Sequence, residues 1–335
     1  MSVKIAINGF GRIGRCLLRA LLEEGIKGIE VVAINGPAHA SQHAHLFEFD
    51  SVHKNFKGDV KFEEDALIIN NKKIKLLRER EITNLNWGEL GVDIVMECTG
   101  LFTSSEKANL HLKQGAKKVM ISAPAKDKEI KTIVMGVNHD TLNKEDKIIS
   151  IGSCTTNCLA PLAKTLNDNL GIVSGFMTTI HSYTGDQNIL DASHKGDLRR
   201  ARAAALSMVP TSTGAAKALG LVIPELAGKL DGSAVRVPTP NVSIVDLCFV
   251  SKNSTTKEEV NSILEKAAKS SNGILGFEQK PLVSIDFMGN SHSSIVDALE
   301  TKVTGENLVR VLSWYDNEWG FSIRMLECAK LWNSL

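Results

Sequence analysis

The sequence predicts an α/β protein of two domains, the first built on a mostly parallel sheet and the second an α+β domain on a mostly antiparallel sheet. Apolar, strand-sized runs alternate with helical patterns over the first 150 residues, as in parallel sheets. Later strand-like runs alternate apolar and polar residues, which is typical of an antiparallel sheet with one covered face. These runs lie at residues 232–237, 242–251 and 308–314. We place the first domain at residues 1–152 plus 317–335 and the second at 153–316.

Length and charge narrow the class of protein. The chain has 335 residues, enough for two domains with a large core. Its 39 Lys and Arg against 38 Asp and Glu give no excess charge that would indicate nucleic acid or a membrane as partner. The longest apolar runs are strand-sized, and residues 4–9 already read as a strand entering a turn rather than as a signal peptide. The six cysteines lack disulfide or zinc spacing, so we expect reduced thiols, a cytoplasmic protein and no metal site.

The first domain opens with a glycine motif in a defined setting. Gly9, Gly11 and Gly14 form G-x-G-x-x-G between an apolar strand at residues 3–7 and a helical pattern at 15–22, and a second strand follows at 29–34. Glycines at this spacing let backbone amides approach a pyrophosphate at a helix N-terminus. We therefore expect a Rossmann domain that binds a dinucleotide. The alternative is a tight turn without a ligand.

The end of the second strand lacks an expected carboxylate. In Rossmann domains an acidic residue there hydrogen-bonds the adenosine ribose 2′-hydroxyl. This chain instead has Asn35-Gly36-Pro37, which removes both an NAD-selecting contact and a repulsion against a 2′-phosphate. Asn35 or backbone groups could instead hold the hydroxyl. The choice between NAD and NADP is open at this point.

Four further strands complete the predicted parallel sheet, at residues 93–98, 117–122, 133–136 and 147–151. Ser104 or Ser105 is expected to cap a helix that continues to Lys113. Ligands of such sheets bind at the carboxyl ends of the strands. Those ends carry Gly9, Thr99, Ser122 and Cys154.

Cys154 is the candidate nucleophile. Ser153 is a natural N-cap, which places Cys154 in the first turn of a helix, where the helix dipole favours a thiolate. His181 follows at the end of the next strand, at residues 172–180, and could take the thiol proton. Cys158 lies one turn deeper and is expected to pack in the core. The remaining cysteines are expected to act as small hydrophobic residues, and the other eight histidines to be solvated.

Anion-binding residues follow in the second domain. Residues 211–217 form a hydroxyl-rich turn that opens a helix, and residues 185–202 are a long, arginine-rich connection. Arg199, Arg200, Arg202 and Arg236 could donate forked hydrogen bonds to phosphate. Individually these residues could be a cap and surface ion pairs. Together with a nucleophilic cysteine and a dinucleotide fold, they indicate oxidation of a phosphorylated aldehyde.

Five segments resemble the phosphorylating glyceraldehyde-3-phosphate dehydrogenase family, and the similarity extends from end to end. The segments are Ala-Ile-Asn-Gly-Phe-Gly-Arg-Ile-Gly-Arg at 6–15, Ser-Cys-Thr-Thr-Asn-Cys at 153–158, His-Ser-Tyr-Thr at 181–184, Leu-Arg-Arg-Ala-Arg at 198–202 and Trp-Tyr-Asp-Asn-Glu-Trp-Gly at 314–320. The resemblance implies that Cys154 attacks the aldehyde and His181 acts as base. Hydride transfer to NAD then leaves a thioester, which inorganic phosphate cleaves to an acyl phosphate. It also implies a cytoplasmic homotetramer with residues 183–205 at a subunit interface.

The resemblance assigns the remaining site residues. Thr184 and Arg236 match the site for the phosphate of the substrate. The site for the attacking phosphate falls on Ser153, Thr155, Thr213 and Gly214. The arginine that reaches between the two phosphate sites is Arg199 or Arg200, because a one-residue insertion near Gly196 leaves that alignment open. The cofactor contacts fall on the glycine motif with Arg12, Ile13, Gly36, Arg80, Ser122 and Asn317.

Two departures from the family pattern concern the cofactor. Gly36 stands where NAD-specific members carry Asp, and Ala192-Ser193 where they usually carry Leu-Pro. Ser193 of a neighbouring subunit, with Arg80, could hold a 2′-phosphate, so we expect NADP to be accepted, alone or beside NAD. Other readings are an erythrose-4-phosphate dehydrogenase, another two-domain semialdehyde dehydrogenase, and a redox-sensing or binding protein without catalysis.

Overall fold

The computed structural model describes residues 2–335, which form two compact units. Unit 1 contains the chain up to Met135 together with His139–Ser153 and Ser322–Leu335. Unit 2 contains Gly136–Asn138 and Cys154–Phe321. Among the described residues, no helix combines the length and the apolar character needed to cross a membrane.

Unit 1 is built on a nine-stranded sheet in the order β10-β11-β9-β8-β1-β2-β7-β6-β5. Its elements are β1 (Val3–Asn8), α1 (Arg12–Glu23), β2 (Ile29–Asn35), α2 (Ala40–Glu48), β3 (Phe49–Asp50), β4 (Lys54–Asn55), β5 (Val60–Glu63), β6 (Ala66–Ile69), β7 (Lys72–Leu77), β8 (Ile94–Glu97), α3 (Ser105–Lys113), β9 (Lys118–Ile121), β10 (Lys131–Thr132) and β11 (Ile148–Ser150). Pairs from β10 to β7 are parallel, and only the β7-β6-β5 edge is antiparallel. The predicted mostly parallel sheet is confirmed.

The glycine motif lets α1 begin close to β1. A Cβ built at Gly14 would lie 2.2 Å from the carbonyl oxygen of Gly9, so only glycine permits this approach. The helix therefore starts at Arg12, three residues before the predicted helical pattern, and includes Gly14 in its first turn. Ser104 caps α3 by accepting a hydrogen bond from the amide of Lys107, which confirms the expected cap.

The strand predicted at residues 133–136 is wrong. The short strand in this part of the chain is β10, which ends at Thr132. The chain then turns, and Gly136 has a φ of +78°, a left-handed conformation that does not continue a strand. Ile133 and Val134 are buried, which accounts for their apolar character, and the amide of Ile133 makes a last hydrogen bond to Ser150 of β11 at 2.8 Å.

Unit 2 is built on an eight-stranded sheet in the order β13-β14-β12-β15-β19-β17-β16, with β18 also paired to β19. Its elements are α4 (Cys154–Leu170), β12 (Ile172–Ser182), β13 (Val209–Ser212), α5 (Ala215–Val222), β14 (Leu230–Val237), β15 (Ser243–Ser251), α6 (Lys257–Ser270), β16 (Leu275–Glu278), β17 (Ser294–Asp297), β18 (Lys302–Thr304) and β19 (Leu308–Tyr315). The sheet is mostly antiparallel, as predicted, with parallel pairs at β12/β14 and β16/β17. The last helix is α7 (Trp319–Ser334).

Helix α4 covers one face of the second sheet. Leu159, Leu162 and Leu166 on this helix are fully buried, and alternate residues of β15 from Ser243 to Ser251 face the interior. Burial of apolar side chains at this spacing, three to four residues apart, fixes the rotation of α4 about its axis. Because the helix begins at Cys154, its packing also fixes the position of that cysteine.

Candidate active site

Cys154 and His181 lie side by side in unit 2. Cys154 is the first residue of α4, and His181 is the penultimate residue of β12, the strand that directly follows this helix. The distance from Sγ of Cys154 to Nε2 of His181 is 3.6 Å, within hydrogen-bonding range for sulfur. The ring is buried, whereas Cys154 is half-buried. A thiol and an imidazole at this distance can exchange a proton.

Burial dominates the acidity of both groups. It raises the pKa of the Cys154 thiol above its usual value, although the charge of Arg236 and hydrogen bonds from Thr155 act in the opposite direction. The backbone amides at the helix start lower the pKa of this thiol, in the expected direction, but burial outweighs them. Burial, reinforced by the charge of Arg236, lowers the pKa of His181 to about 3. Burial therefore favours the thiol form of Cys154 and the neutral form of the imidazole.

Arg236 contacts the opposite side of the imidazole ring. It lies on β14 directly opposite His181 in the parallel pairing of β12 with β14. Its Nη1 is 2.7 Å from Nδ1 of His181 and donates to the carbonyl oxygen of Ser182 at 3.1 Å. The same carbonyl lies 2.7 Å from Nδ1. A guanidinium and a carbonyl thus compete for one ring nitrogen.

Tyr315 contacts His181 and also Thr155, the residue after the cysteine. It was not among the site residues predicted from the sequence. Its hydroxyl is 2.9 Å from the hydroxyls of both Thr155 and Thr179, and its ring packs edge-on against His181 at 5.9 Å. Thr155 is buried, so its hydroxyl is used by Tyr315 and Cys154. The alternation of residues 308–314 already implied that Tyr315 faces inward, which was the available signal.

Thr184 and Arg200, two further candidates for anion binding, both donate hydrogen bonds to the carboxylate of Asp186. Asp186 accepts hydrogen bonds from the hydroxyl of Thr184 and, at 2.8 Å, from Nη1 of Arg200. Nε of Arg200 also donates to the hydroxyl of Thr211 at 3.0 Å. Arg199 is exposed. The structure therefore brings Thr184 and Arg200 together.

The remaining predicted site residues differ in their burial and in their hydrogen bonds. Thr213 accepts a hydrogen bond from the amide of Ala215, and Gly214 is the N-cap residue of α5. Ser193 is exposed in the segment 183–208, which forms no helix or strand within the described chain. The amide oxygen of Asn317 is buried and accepts hydrogen bonds from Ser182 and Ser243, both at 2.9 Å. Ser153 belongs to unit 1 and is half-buried.

The predicted dinucleotide site lies in unit 1, where neighbouring strands end. Gly9 follows β1, Gly36 follows β2, Thr99 follows β8 and Ser122 follows β9, and these four strands are adjacent in the sheet. A Cβ built at Gly11, the N-cap residue of α1, meets no described atom within 4 Å, so open space lies before this helix. Open space before free amides at a helix start fits a pyrophosphate.

Arg12 is held in place beside this site. Its guanidinium donates two hydrogen bonds to Asp50, with Nη1 at 2.5 Å from Oδ2. Burial raises the pKa of Asp50, but bonds from Arg12 and from the amides of Val52 and His53 outweigh it and lower the pKa to about 2. Ile13 is half-buried on α1, and Arg80 is exposed after β7.

Comparison with known proteins decides the family. Residues 3–105 match the family described as glyceraldehyde 3-phosphate dehydrogenase, NAD binding domain, and residues 153–317 match its C-terminal domain. The chain is 59% identical to glyceraldehyde-3-phosphate dehydrogenase of Xanthobacter flavus over 98% of both chains. It is 55% identical to the same-named protein of Geobacillus stearothermophilus, again over 98% of both chains. This chain belongs to the glyceraldehyde-3-phosphate dehydrogenase family. The family resemblance and the predicted Rossmann fold are confirmed.

Asn35 is the residue that the sequence offered, in place of a carboxylate, as a hydrogen-bond partner for the ribose hydroxyl. Its Nδ2 donates to Oδ1 of Asn8 at 2.7 Å and to the carbonyl of Glu79, and its Oδ1 accepts from the amide of Glu79. The side chain is buried and its amide group is occupied on both sides. The N–H groups of the Asn35 side chain are thus occupied in tying together β1, β2 and the loop after β7, and backbone groups remain the predicted alternative.

Two histidines in this family member are buried, contrary to expectation. His111 is fully buried, where Nδ1 accepts from Trp87 and Nε2 lies 3.0 Å from Glu97. His43 is 5% exposed and packs edge-on against Phe10. The local sequence around these two histidines has no apolar periodicity that would predict their burial. Each ring is buried by residues that are distant in the sequence.

The cysteines outside the candidate site follow the predictions with one exception. Cys158 is fully buried, donates to Ser294 at 3.4 Å, and burial raises its pKa to about 12. Cys16 and Cys328 are also buried. Cys248 is exposed, so the expectation that it packs as a small hydrophobic residue is wrong.

Proposed function

We propose that this chain is a phosphorylating dehydrogenase that converts D-glyceraldehyde 3-phosphate, NAD⁺ and inorganic phosphate into 1,3-bisphosphoglycerate through a thioester on Cys154. The observation that carries the proposal is the 3.6 Å approach of Cys154 Sγ to His181 Nε2. Membership of the glyceraldehyde-3-phosphate dehydrogenase family supports the choice of substrate and a glycolytic or gluconeogenic role.

In the first half-reaction, Nε2 of His181 takes the thiol proton as Sγ of Cys154 attacks the aldehyde carbon, which forms a thiohemiacetal. The imidazole, whose pKa is lowered by burial, is neutral before this step, and its Nδ1–H tautomer leaves Nε2 free to accept the proton. The dinucleotide, when bound, supplies the hydride acceptor that makes the oxidation to a thioester possible. In the second half-reaction an oxygen of inorganic phosphate attacks the thioester carbon, which breaks the C–S bond and returns Cys154.

The two phosphate groups are assigned to separate residues. Arg236 and Thr184 hold the phosphate of the substrate, and Ser153, Thr213 and Gly214 receive the attacking phosphate. We assign Arg200 rather than Arg199 to the position between the two sets, because Arg200 shares Asp186 with Thr184 and also donates to the hydroxyl of Thr211, close to Thr213 in sequence. Thr155 supports Cys154 through its buried hydroxyl. A guanidinium with two aligned N–H groups suits this recognition.

The cofactor is held by unit 1. The backbone at Gly9, Gly11 and Gly14 receives the pyrophosphate, with Arg12, Ile13, Arg80 and Ser122 around it, and the family resemblance adds Asn317 to the cofactor contacts. NAD is the cofactor that the family description names, and acceptance of NADP is our finer proposal. It is supported by the missing carboxylate at Gly36 and by Ser193 and Arg80, both exposed and able to donate to a phosphate.

We further propose a cytoplasmic homotetramer in which unit 1 is the cofactor-binding domain and unit 2 the catalytic domain. Exposed apolar side chains crowd the segment 183–208, which supports a subunit contact there. These side chains are Ile189, Leu190, Leu198, Leu206 and Met208. Free thiols at all six cysteines are consistent with a reducing compartment.

The proposal is tested by turnover of glyceraldehyde 3-phosphate with NAD or NADP, with and without inorganic phosphate. We expect an acyl phosphate product and a strong dependence on inorganic phosphate. Release of free acid at the same rate without phosphate would contradict phosphorolysis and favour a dehydrogenase of the erythrose-4-phosphate type. Failure of NADP to support turnover would overturn only the proposal of NADP use.

A further inference from the structure

Gly36 and His43 compete for the same space at the end of β2. A Cβ built on Gly36 would lie 2.9 Å from Nε2 and 3.0 Å from Cε1 of His43, closer than Cβ atoms come to ring atoms. Gly36 is not among the glycines with positive φ, so its backbone conformation does not require glycine. A side chain at residue 36 would have to displace the imidazole ring of His43, which occupies that volume.

The ring is held firmly in that position. His43 lies on α2, is 5% exposed, and packs edge-on against Phe10 with ring centroids 5.4 Å apart. Phe10 in turn stacks on Phe47 of the same helix at 6.2 Å. A side chain at residue 36 could therefore be accommodated only by disrupting an aromatic cluster.

The imidazole has an unused polar atom. Nε2 of His43 is buried and has no hydrogen-bond partner among the described residues. A buried ring nitrogen without a partner costs free energy, so such atoms usually have a ligand or a mechanistic role. This nitrogen lies against Gly36, at the strand end where Rossmann domains read the 2′ position of the adenosine ribose.

The charges around the ring favour an anion. Arg15 on α1 and Arg78 after β7 are the charged groups that act on the ring, while a backbone contact with Gly36, outside normal hydrogen-bond geometry for Nε2, raises its pKa. Burial lowers the pKa of His43, and both guanidinium groups lower it further. Arg15 is oriented by a hydrogen bond from Nη1 to the carbonyl of Phe10 at 3.0 Å. An anion at this point would offset the two guanidinium charges and accept a hydrogen bond from Nε2.

We propose that His43 is a specificity-determining residue that recognises a phosphate monoester at the 2′ position of the adenosine ribose, with Gly36 leaving room for its ring. The inference rests on the proposed dinucleotide site. In the bound state the imidazolium Nε2–H donates a charge-assisted hydrogen bond to a phosphate oxygen. Arg15 and Arg78 stay charged throughout the accessible pH range, so His43 is the group of this cluster whose protonation follows the ligand.

The test compares adenosine 2′,5′-bisphosphate with adenosine 5′-monophosphate by calorimetry on the ligand-free enzyme. The variant His43→Phe keeps a ring of similar size against Phe10 but removes Nε2. We expect wild-type protein to prefer the bisphosphate, and His43→Phe to reduce that preference about tenfold while leaving monophosphate affinity unchanged. The preference of the wild type falls between pH 6.5 and 8.5 more steeply than that of His43→Phe, which controls for titration of the ligand itself.

Two further measurements keep the inference testable if His43→Phe folds poorly. In wild-type protein, the NMR signal of the His43 ring should report a higher pKa with the bisphosphate than with the monophosphate. The variant Gly36→Asp should lose the bisphosphate preference because it displaces the ring, and Gly36→Asp/His43→Ala should bind the monophosphate at least as well as wild type.

The possible negative results separate a failure of the proposed role of His43 from a failure of the proposed dinucleotide site. An unchanged bisphosphate preference in His43→Phe, or equal His43 pKa values with the two ligands, overturns the role of His43 alone. Equal affinity of the wild type for the two nucleotides would also overturn the role of His43 alone. Binding of neither nucleotide would overturn the dinucleotide site itself, and this inference with it.

Discussion

Nη1 of Arg236 lies 2.7 Å from Nδ1 of His181, on the side of the ring opposite Cys154. An arginine N–H can only donate, so this contact requires Nδ1 without a proton and leaves the proton on Nε2. A base toward the Cys154 thiol needs the other tautomer, in which Nδ1–H donates to the carbonyl of Ser182 at 2.7 Å. The two contacts at Nδ1 therefore correspond to different tautomers of His181.

The first prediction concerns the variant Arg236→Gln. Removing the guanidinium should raise the pKa of His181 from about 3, because burial then remains as the main cause of the lowering. The value should stay below 6.5, since the ring is still buried. NMR titration of the His181 ring measures this, and the exposed, ion-paired Arg202→Gln is the control. An unchanged pKa of His181 would refute the coupling.

The second prediction concerns acid stability and Asp50. Its pKa of about 2 in the folded chain lies below the usual 3.8, so ionised Asp50 stabilises the fold above about pH 4. This contribution, about 2 kcal/mol, is lost as the pH falls toward 2. In Asp50→Asn the free energy of unfolding should be lower at pH 7 and should depend less on pH between 4 and 2. Urea titrations at several pH values test this, and an unchanged pH slope would count against it.

The third prediction concerns Glu97, whose carboxyl group is fully buried. It accepts hydrogen bonds from Nδ2 of Asn8 at 2.6 Å, from the amide and hydroxyl of Thr99, and from Nε2 of His111. Nε2 is the donor, because the indole of Trp87, which can only donate, occupies Nδ1. Glu97→Gln should cost about 1–3 kcal/mol, since its NH₂ group would face donors.

The measurement for Glu97 is urea unfolding, with Glu265→Gln as matched control. Glu265 forms an exposed i,i+4 pair with Lys269, where the same change should cost less than about 0.5 kcal/mol. Because Asn8 and Thr99 lie at strand ends beside the dinucleotide site, weaker cofactor binding should accompany the loss of stability. Equal effects of the two substitutions would contradict the proposed role of the buried network.

Much of the fold follows from local pattern. The glycine motif, the apolar runs of β1 and β2 and the caps at Ser104 and Thr256 are local signals, and each element forms where its signal lies. Residues 133–136 show the limit of this approach, because buried apolar residues in an irregular segment have the composition of a strand. Whether such residues pair as a strand depends on the segments that lie beside them in the fold.

The site was predictable as a set of residues but not as an electrostatic arrangement. Cys154 and His181 carried local signals, a helix start and a strand end. The acidity of Cys154 was not predictable, because burial by distant elements outweighs the helix start. Contacts such as Arg236 with His181, or His43 with Gly36, depend on sheet register and on helix packing, which join residues 55 and 7 positions apart.

The central claim is that Cys154 carries the acyl group, and trapping the acyl-enzyme tests it most directly. Enzyme, glyceraldehyde 3-phosphate and NAD⁺ are mixed without inorganic phosphate, quenched in acid and mapped by mass spectrometry, with Cys158→Ser as control. We predict an acyl adduct on Cys154 in wild type and in Cys158→Ser, none in Cys154→Ser, and discharge on adding phosphate. An adduct on another residue, or turnover by Cys154→Ser at the wild-type rate, would contradict the account.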